Sequence, residues 1–195
     1  HLQTHGVIMT GSPTEAVALV QGHARTLLQQ WAATAVPVRA ACLDVGLSRL
    51  PRPRARFALG IDHPFYLSVH SAVARLAPAD SAVIHVAKYL PSTPTSEAKA
   101  DEHELEGVLD LMQPGWREVL VTRRFLPHLT VAHALVSATG GGIASRPGPT
   151  VPGVQGMYVA GDWVGPEGML ADASLASAEQ AAELILQRAP ERIAA

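Results

Sequence analysis

The run Met157-Tyr-Val-Ala-Gly-Asp162-Trp163, followed within ten residues by an alanine-rich stretch opening near Leu170, constrains this chain more than any other feature. It reads as a buried strand that ends on a glycine and a carboxylate, then a loop, then a helix whose N-terminus points back at the strand end. A strand from Met157 to Ala160 packed only against one helix cannot bury both of its faces. Its expected partner is a parallel sheet built from residues this chain lacks.

The carboxyl edge of such a sheet suits a polar, extended ligand. Gly161 lets backbone approach closely, and Asp162 can accept hydrogen bonds from sugar or ribityl hydroxyls. The helix start near Gly168-Met-Leu-Ala-Asp172 adds unpaired N–H groups and a partial positive charge. No strand–GxGxxG–helix unit lies upstream, so the half of a dinucleotide site that holds a pyrophosphate is absent. Gly140-Gly-Gly142 has no Lys-Ser/Thr after it and reads as a hinge, not a phosphate loop.

Upstream, Gly6 to Thr10 reads as a short strand, and Ser12-Pro-Thr-Glu15 supplies an N-cap, a first-turn proline and a capping-box glutamate. The helix this opens stops near Gly22, and a second runs from Ala24 to about Ala33 with Leu27, Leu28 and Trp31 on one face. From Arg56 to Tyr89 the period changes to two, predicting strands with Phe57, Leu59 and Ile61, then Phe65, Leu67 and Val69, on the apolar side. A third strand follows from Ala82 to Tyr89. A helix from about Ser96 to Met112 comes next, then a strand over Arg117 to Arg123. Leu126 to Ala138 fits strand or helix equally, and Ala138 to Pro152 is a Gly/Pro-rich linker. The last helix ends by Ala189-Pro190.

A net charge of −2 and a pI near 6.5 leave no electrostatic footprint for nucleic acid. The cluster Arg49-Leu-Pro-Arg-Pro-Arg-Ala-Arg56 reads as a solvated, proline-stiffened connector, with a partner or phosphate contact as the lesser alternative. No apolar run reaches the roughly eighteen residues of a membrane span, so a soluble, cytoplasmic protein is expected. The lone Cys42 excludes an internal disulfide, fits a reducing compartment and sits in an apolar setting that suits an inert core thiol. The chain starts on His1, as a fragment or processed product does.

Other chemistries find little support. His128 and His133 are five apart, off the spacing that puts two metal ligands on one helix face, and the nine histidines are scattered. Ser68-Val-His-Ser71 lacks the GxSxG turn of a nucleophilic serine. Tyr66, Ser68 and His70 share one strand face and are candidates for a substrate-cavity wall, the alternative being the solvated side of a half-buried sheet. Lys88 reads as a snorkelling edge lysine before it reads as a lysine beside a cofactor.

The stretch from Val151 to Ala182 resembles the C-terminal signature of FAD-dependent oxidoreductases of the phytoene dehydrogenase and amine oxidase superfamily. The segments Arg56 to Ser71 and Ile84 to Leu90 resemble substrate-domain strands of that group, and Gly6 to Pro13 the point where such proteins leave the flavin domain. Alanine stands at 173 and 178, where many such proteins carry glycine. The resemblance implies that Gly161, Asp162 and Trp163 meet the ribityl–phosphate part of FAD, and that Leu170, Ala171 and Asp172 open the helix beside the isoalloxazine.

The expected fold is therefore α/β (α+β). Residues 1–10 would be a residual flavin-domain strand, and 11–145 a mixed-sheet substrate domain with flanking helices. Residues 150–195 would be the last strand and helix of a Rossmann-like FAD domain whose first part is absent. The implied activity is hydride transfer from a hydrophobic substrate to FAD, with this chain inactive alone and no catalytic side chain or metal assigned. A homodimer through the exposed strand is the expected self-association. The alternative is a standalone, non-catalytic module for a ligand or partner.

Overall fold

Ser12 and Glu15 form the reciprocal pair their spacing predicts. In the computed structural model, which describes residues 4–92 and 97–188, Ser12 Oγ accepts the Glu15 N–H at 3.2 Å and Glu15 Oε2 accepts the Ser12 N–H at 2.7 Å. The elements run β1 (Val7–Met9), α1 (Pro13–Leu19), α2 (His23–Thr34), β2 (Val38–Leu47), β3 (Phe57–Leu59), β4 (Phe65–Val69) and β5 (Ala82–Leu90). They continue with α3 (Ala98–Met112), β6 (Leu120–Ala132), β7 (Met157–Val159) and α4 (Ala171–Arg188). The predicted helix start at Ser96 and the predicted end at Ala189-Pro190 lie outside the described residues. Among the described residues no helix is long and apolar enough to cross a membrane. The class is mixed α and β, as expected.

The chain divides into two compact units, one made of the described residues up to Pro37 and from Ala132 onward, the other of Val38–Val131. This moves the expected boundaries at 11 and 145. Residues 11–37 and 132–145 belong with the C-terminal segment because α1 and α2 cover its strands. Ala16, Val20 and Leu28 are buried in one cluster with Met9, Val159, Trp163 and Val164, and Trp31 lies 5.8 Å from Trp163 between ring centroids.

In this first unit β1 and β7 pair in parallel, with Val7 opposite Met157 and Met9 opposite Val159. Among the described residues the last strand therefore has one strand partner, β1. Its other edge is taken by the segment around Thr150, which bridges Tyr158 antiparallel. A two-stranded parallel sheet is unusually small, and Val7 on β1 is 46% exposed.

The second unit is a five-stranded sheet in the order β3-β4-β5-β2-β6, with β5 antiparallel to both β2 and β4. One face buries Leu43, Val45, Leu67, Ile84 and Val86 against Leu105 and Leu109 of α3. β6 runs unbroken through Pro127, which an edge strand tolerates because no interior ladder needs its missing N–H. The expected strand at Arg117 and the ambiguous stretch after Leu126 are thus largely one strand. Buried Gln113 pins the arginine-rich connector: its Oε1 accepts the Arg52 N–H at 2.8 Å and its Nε2 donates to Ala55 O at 2.6 Å.

The expected apolar side of β3 faces outward. Leu59 pairs with Tyr66 and Phe57 with Ser68, so antiparallel register sets them on the face opposite Leu67 and Val69. Phe57 and Leu59 are accordingly 60% and 63% exposed, while Ala58 packs on the core.

Candidate functional sites

Because β1 and β7 run parallel, their carboxyl ends fall together, and the residues after β7 are built up from that end. Gly161 stands where a Cβ would lie 2.9 Å from Trp163 Nε1, so only glycine fits without displacing the indole. Its N–H donates to Ser177 Oγ at 3.0 Å, which ties α4 to the strand end. The Asp162 side chain is only 9% exposed. Its Oδ2 accepts the His133 N–H and its Oδ1 accepts from His133 Nδ1, both at 2.8 Å. Since an ionised carboxylate only accepts, Nδ1 carries the proton in neutral His133 and Nε2 is left as an acceptor.

Arg146 closes the loop that follows. Its Nη1 donates to Asp162 O at 2.9 Å and its Nη2 to Gly168 O at 2.7 Å. The predicted residues at the strand end and those at the helix start are thereby held to one loop. Leu170 sits at φ 54° immediately before α4, and among the described residues no carbonyl accepts the Ala171 or Ala173 N–H. Trp163 instead turns inward: it is 2% exposed and donates Nε1–H to Gly11 O at 3.1 Å. It also lines, with Trp31, Val36, Leu135 and Arg146, a cleft of about 420 Å³ within this unit. Gly140-Gly-Gly142, read as a hinge, forms a tight turn: the Gly140 and Gly142 N–H groups donate to Ser137 O and the Gly141 N–H to Ala138 O.

Gly168 carries the loop's sharpest requirement. It sits at φ 66°, and a Cβ there would lie 2.7 Å from Asp172 Cβ. Gly168→Ala is therefore expected to cost at least ~2 kcal/mol, combining left-handed strain with the clash. Urea unfolding should show it, together with fraying of the start of α4 by amide exchange; a variant as stable as the parent would refute the reading.

In the second unit, Tyr66 and Ser68 lie on one face of β4, whereas His70, expected on the same strand face, opens the short 3-10 turn after the strand. The structure adds two residues the sequence did not single out. His85 lies opposite Ser68 on one side and Asp44 on the other, and its Nδ1 donates to Asp44 Oδ1 at 2.6 Å. The His70 ring stacks on His85 at 4.1 Å between centroids. Burial, with Asp44 near it, pushes the Cys42 thiol up to about 11, so it stays protonated at neutral pH. Lys88 points to the opposite face, where its ammonium meets Asp101 at 2.8 Å and Glu104 at 2.7 Å.

His133 and His85 were illegible as site residues for one reason. Their carboxylate partners are 29 and 41 positions away, and only strand pairing and loop closure bring them together.

No family model matches this chain, and no curated protein matches it in sequence. Its fold is similar to several solved structures. An oxidoreductase from Methanosarcina mazei matches 93% of this chain at TM-score 0.60 and 17% identity. Reduced UDP-galactopyranose mutase matches 97% at TM-score 0.69 and 12% identity. A protein assigned as a protoporphyrinogen oxidase, from Exiguobacterium sp. 255-15, matches 93% at TM-score 0.53 and 16% identity. The chain spans 43%, 43% and 41% of their lengths, respectively. At these identities the likeness is one of fold.

Proposed function

We propose that this chain is the C-terminal part of an FAD-dependent oxidoreductase that removes hydride from a hydrophobic substrate. In this reading the first unit supplies the last strand and helix of a Rossmann-like flavin domain. The open sheet face of the second unit supplies the substrate wall, with Tyr66, Ser68 and His70 on it. The observation that carries the reading is the parallel β1–β7 pair, whose carboxyl end leads through Gly161 and Asp162 to the free N–H groups opening α4. Two parallel strands with an uncovered edge at β1 are what remains of a larger parallel sheet. The spans of 41–43% of the similar structures agree with a part of a longer fold, and two of those structures are an oxidoreductase and a protein assigned as a protoporphyrinogen oxidase. A cytoplasmic setting agrees with the single cysteine.

The residues present fit a flavin at one edge. Gly161, Asp162, Leu170, Ala171 and Asp172 would hold it, with Trp163 supporting the strand end from below. Bound FAD would supply the hydride-accepting chemistry. The chain itself contributes oriented N–H donors at the start of α4, favourable to negative charge, and an Asp162–His133 clamp that presents Nε2 to a hydroxyl. Alone, the chain lacks a pyrophosphate cradle and is expected to be inactive. Fluorescence titration should show no saturable FAD binding by this chain at micromolar concentrations. Tight binding by the chain alone would defeat the half-site reading.

A second reading, a standalone ligand- or partner-binding module, draws on the cleft between Trp31 and Trp163 and on the pairing of β7 within the chain. An autonomous module must cover the β1 edge, most simply by self-association. Light scattering that finds a stable dimer would favour that reading.

A further inference from the structure

We propose that His85, oriented by Asp44 and stacked by His70, is a proton acceptor for a small molecule that joins an apolar body to a dissociable hydroxyl. Strand register assembles the site. Asp44, His85, Ser68 and Phe57 form one row across β2, β5, β4 and β3, and Cys42, Ala87, Tyr66 and Leu59 form the next. Both rows lie on the face away from the core.

The geometry fixes the chemistry. With Nδ1–H donated to the Asp44 carboxylate, neutral His85 must hold its lone pair on Nε2. Among the described residues nothing is hydrogen-bonded to that nitrogen, and it is not a buried unpartnered atom, so it is open to solvent. The Ser68 hydroxyl is likewise unpartnered and accessible among the described residues, directly opposite in register. Beside this polar row lies an apolar strip: Phe57 and Leu59 are 60% and 63% exposed, and Tyr66 meets Phe57 edge-on at 5.7 Å. A ligand with an apolar body on the strip brings a hydroxyl to the row.

Two other readings are weaker. Stacked imidazoles do not converge on one ion, and among the described residues no group of three or more His, Cys, Asp or Glu could hold a metal. A half-exposed cross-strand pair adds little to stability, so the fold does not require it. His70 favours the neutral state, because burial and then the neighbouring His85 lower its proton affinity more than Asp44 raises it. The groups facing His85 are thus Asp44 on β2 and His70 after β4, with Cys42 and Tyr66 one row away.

In the step itself the ligand O–H bond breaks and its electron pair stays on oxygen. The proton passes to His85 Nε2, and the resulting imidazolium faces the Asp44 carboxylate. Asp44 is a positioning residue. The inference deepens the reading of the open face as a substrate wall and rests on it, but its test contains no flavin, so the two can fail separately.

The test uses the 195-residue chain and 4-nitrophenol, whose absorbance reports its phenolate. At a fixed pH near 7, adding protein is expected to raise the phenolate fraction, with an effect about threefold smaller for Asp44→Asn and none for His85→Gln. No rise with the parent, or an equal rise with His85→Gln, would overturn the proposal. Imidazole ¹⁵N NMR of the unsubstituted chain covers the case of a misfolded variant. The expected result is the Nδ1–H tautomer of His85, with the Nε2 signal moving on addition of 4-nitrophenol. An Nε2–H tautomer, or an Nε2 signal that does not move, would overturn it.

Discussion

Replacing Lys88 with methionine is expected to destabilise the second unit by about 3–5 kcal/mol, the range for removing one partner of a buried ion pair. The Lys88 side chain is 14% exposed and that of Asp101 0%, with nitrogen and oxygen 2.8 Å apart. Methionine matches the lysine stem in shape, so the loss would report the missing ammonium and not a cavity. Burial pushes the Lys88 ammonium down and the two carboxylates of Asp101 and Glu104 pull it up, and the pull wins. A lysine whose folded pKa is raised gives its full stabilisation below the unfolded value of ~10.4 and loses it as pH climbs through the folded value. The gap between parent and Lys88→Met in urea melts should therefore hold from neutral pH upward and narrow only above ~10.4. The double replacement Lys88→Met/Asp101→Leu should recover much of the loss, since a packed apolar pair avoids both desolvation costs. A gap under ~1 kcal/mol at neutral pH would show the pair to be no stronger than a surface bridge.

That ion pair also marks how far the sequence could be read. Lys88 was expected to snorkel from a strand edge, but β5 lies inside the sheet and the side chain is buried against Asp101 and Glu104. Which face it joined depended on the register that sets it opposite Ala41 and Phe65. The same limit explains β3. Alternation found Phe57, Leu59 and Ile61, but the assumption that apolar means inward failed, because register with β4 places Phe57 and Leu59 beside Ser68 and Tyr66, and Ile61 lies beyond the strand. β2 was missed outright although Ala41, Leu43, Val45 and Leu47 alternate with Cys42, Asp44 and Gly46. Small and polar members diluted the pattern, and only its central place between β5 and β6 makes it a core strand. Local signals fared better. The Ser12–Glu15 box and the α4 start near Leu170 are set by neighbours in sequence, and both stand where expected. At the strand end, Gly161 and Asp162 were recognised by motif. The His133 that occupies the carboxylate comes from the stretch that fitted strand or helix equally, so no local rule could nominate it.

Trp163 offers the sharpest test of the strand end, because the resemblance names it as a cofactor residue while its packing makes it core. Trp163→Ala is expected to cost the first unit about 3–5 kcal/mol, from lost burial and the cavity left behind. The indole is 2% exposed, packs on Trp31 and donates to the Gly11 carbonyl beyond β1. Its removal also frees the space that makes Gly161 obligatory, so the peptide carrying Asp162 gains room to move. The clamp on His133 should loosen with it, visible as faster amide exchange at His133, whose N–H is held by Asp162. Trp163→Phe separates the contributions: it keeps most of the packing, loses one hydrogen bond and should cost about 1–2 kcal/mol. If the alanine variant proved as stable as the phenylalanine one, the core role would fall, and a surface role in contacting the ligand would be the better account of the residue. If instead the two differ by ~2 kcal/mol or more, the tryptophan acts through the strand end it braces, and the groups left to meet a ligand there are the Asp162–His133 pair and the opening N–H groups of α4.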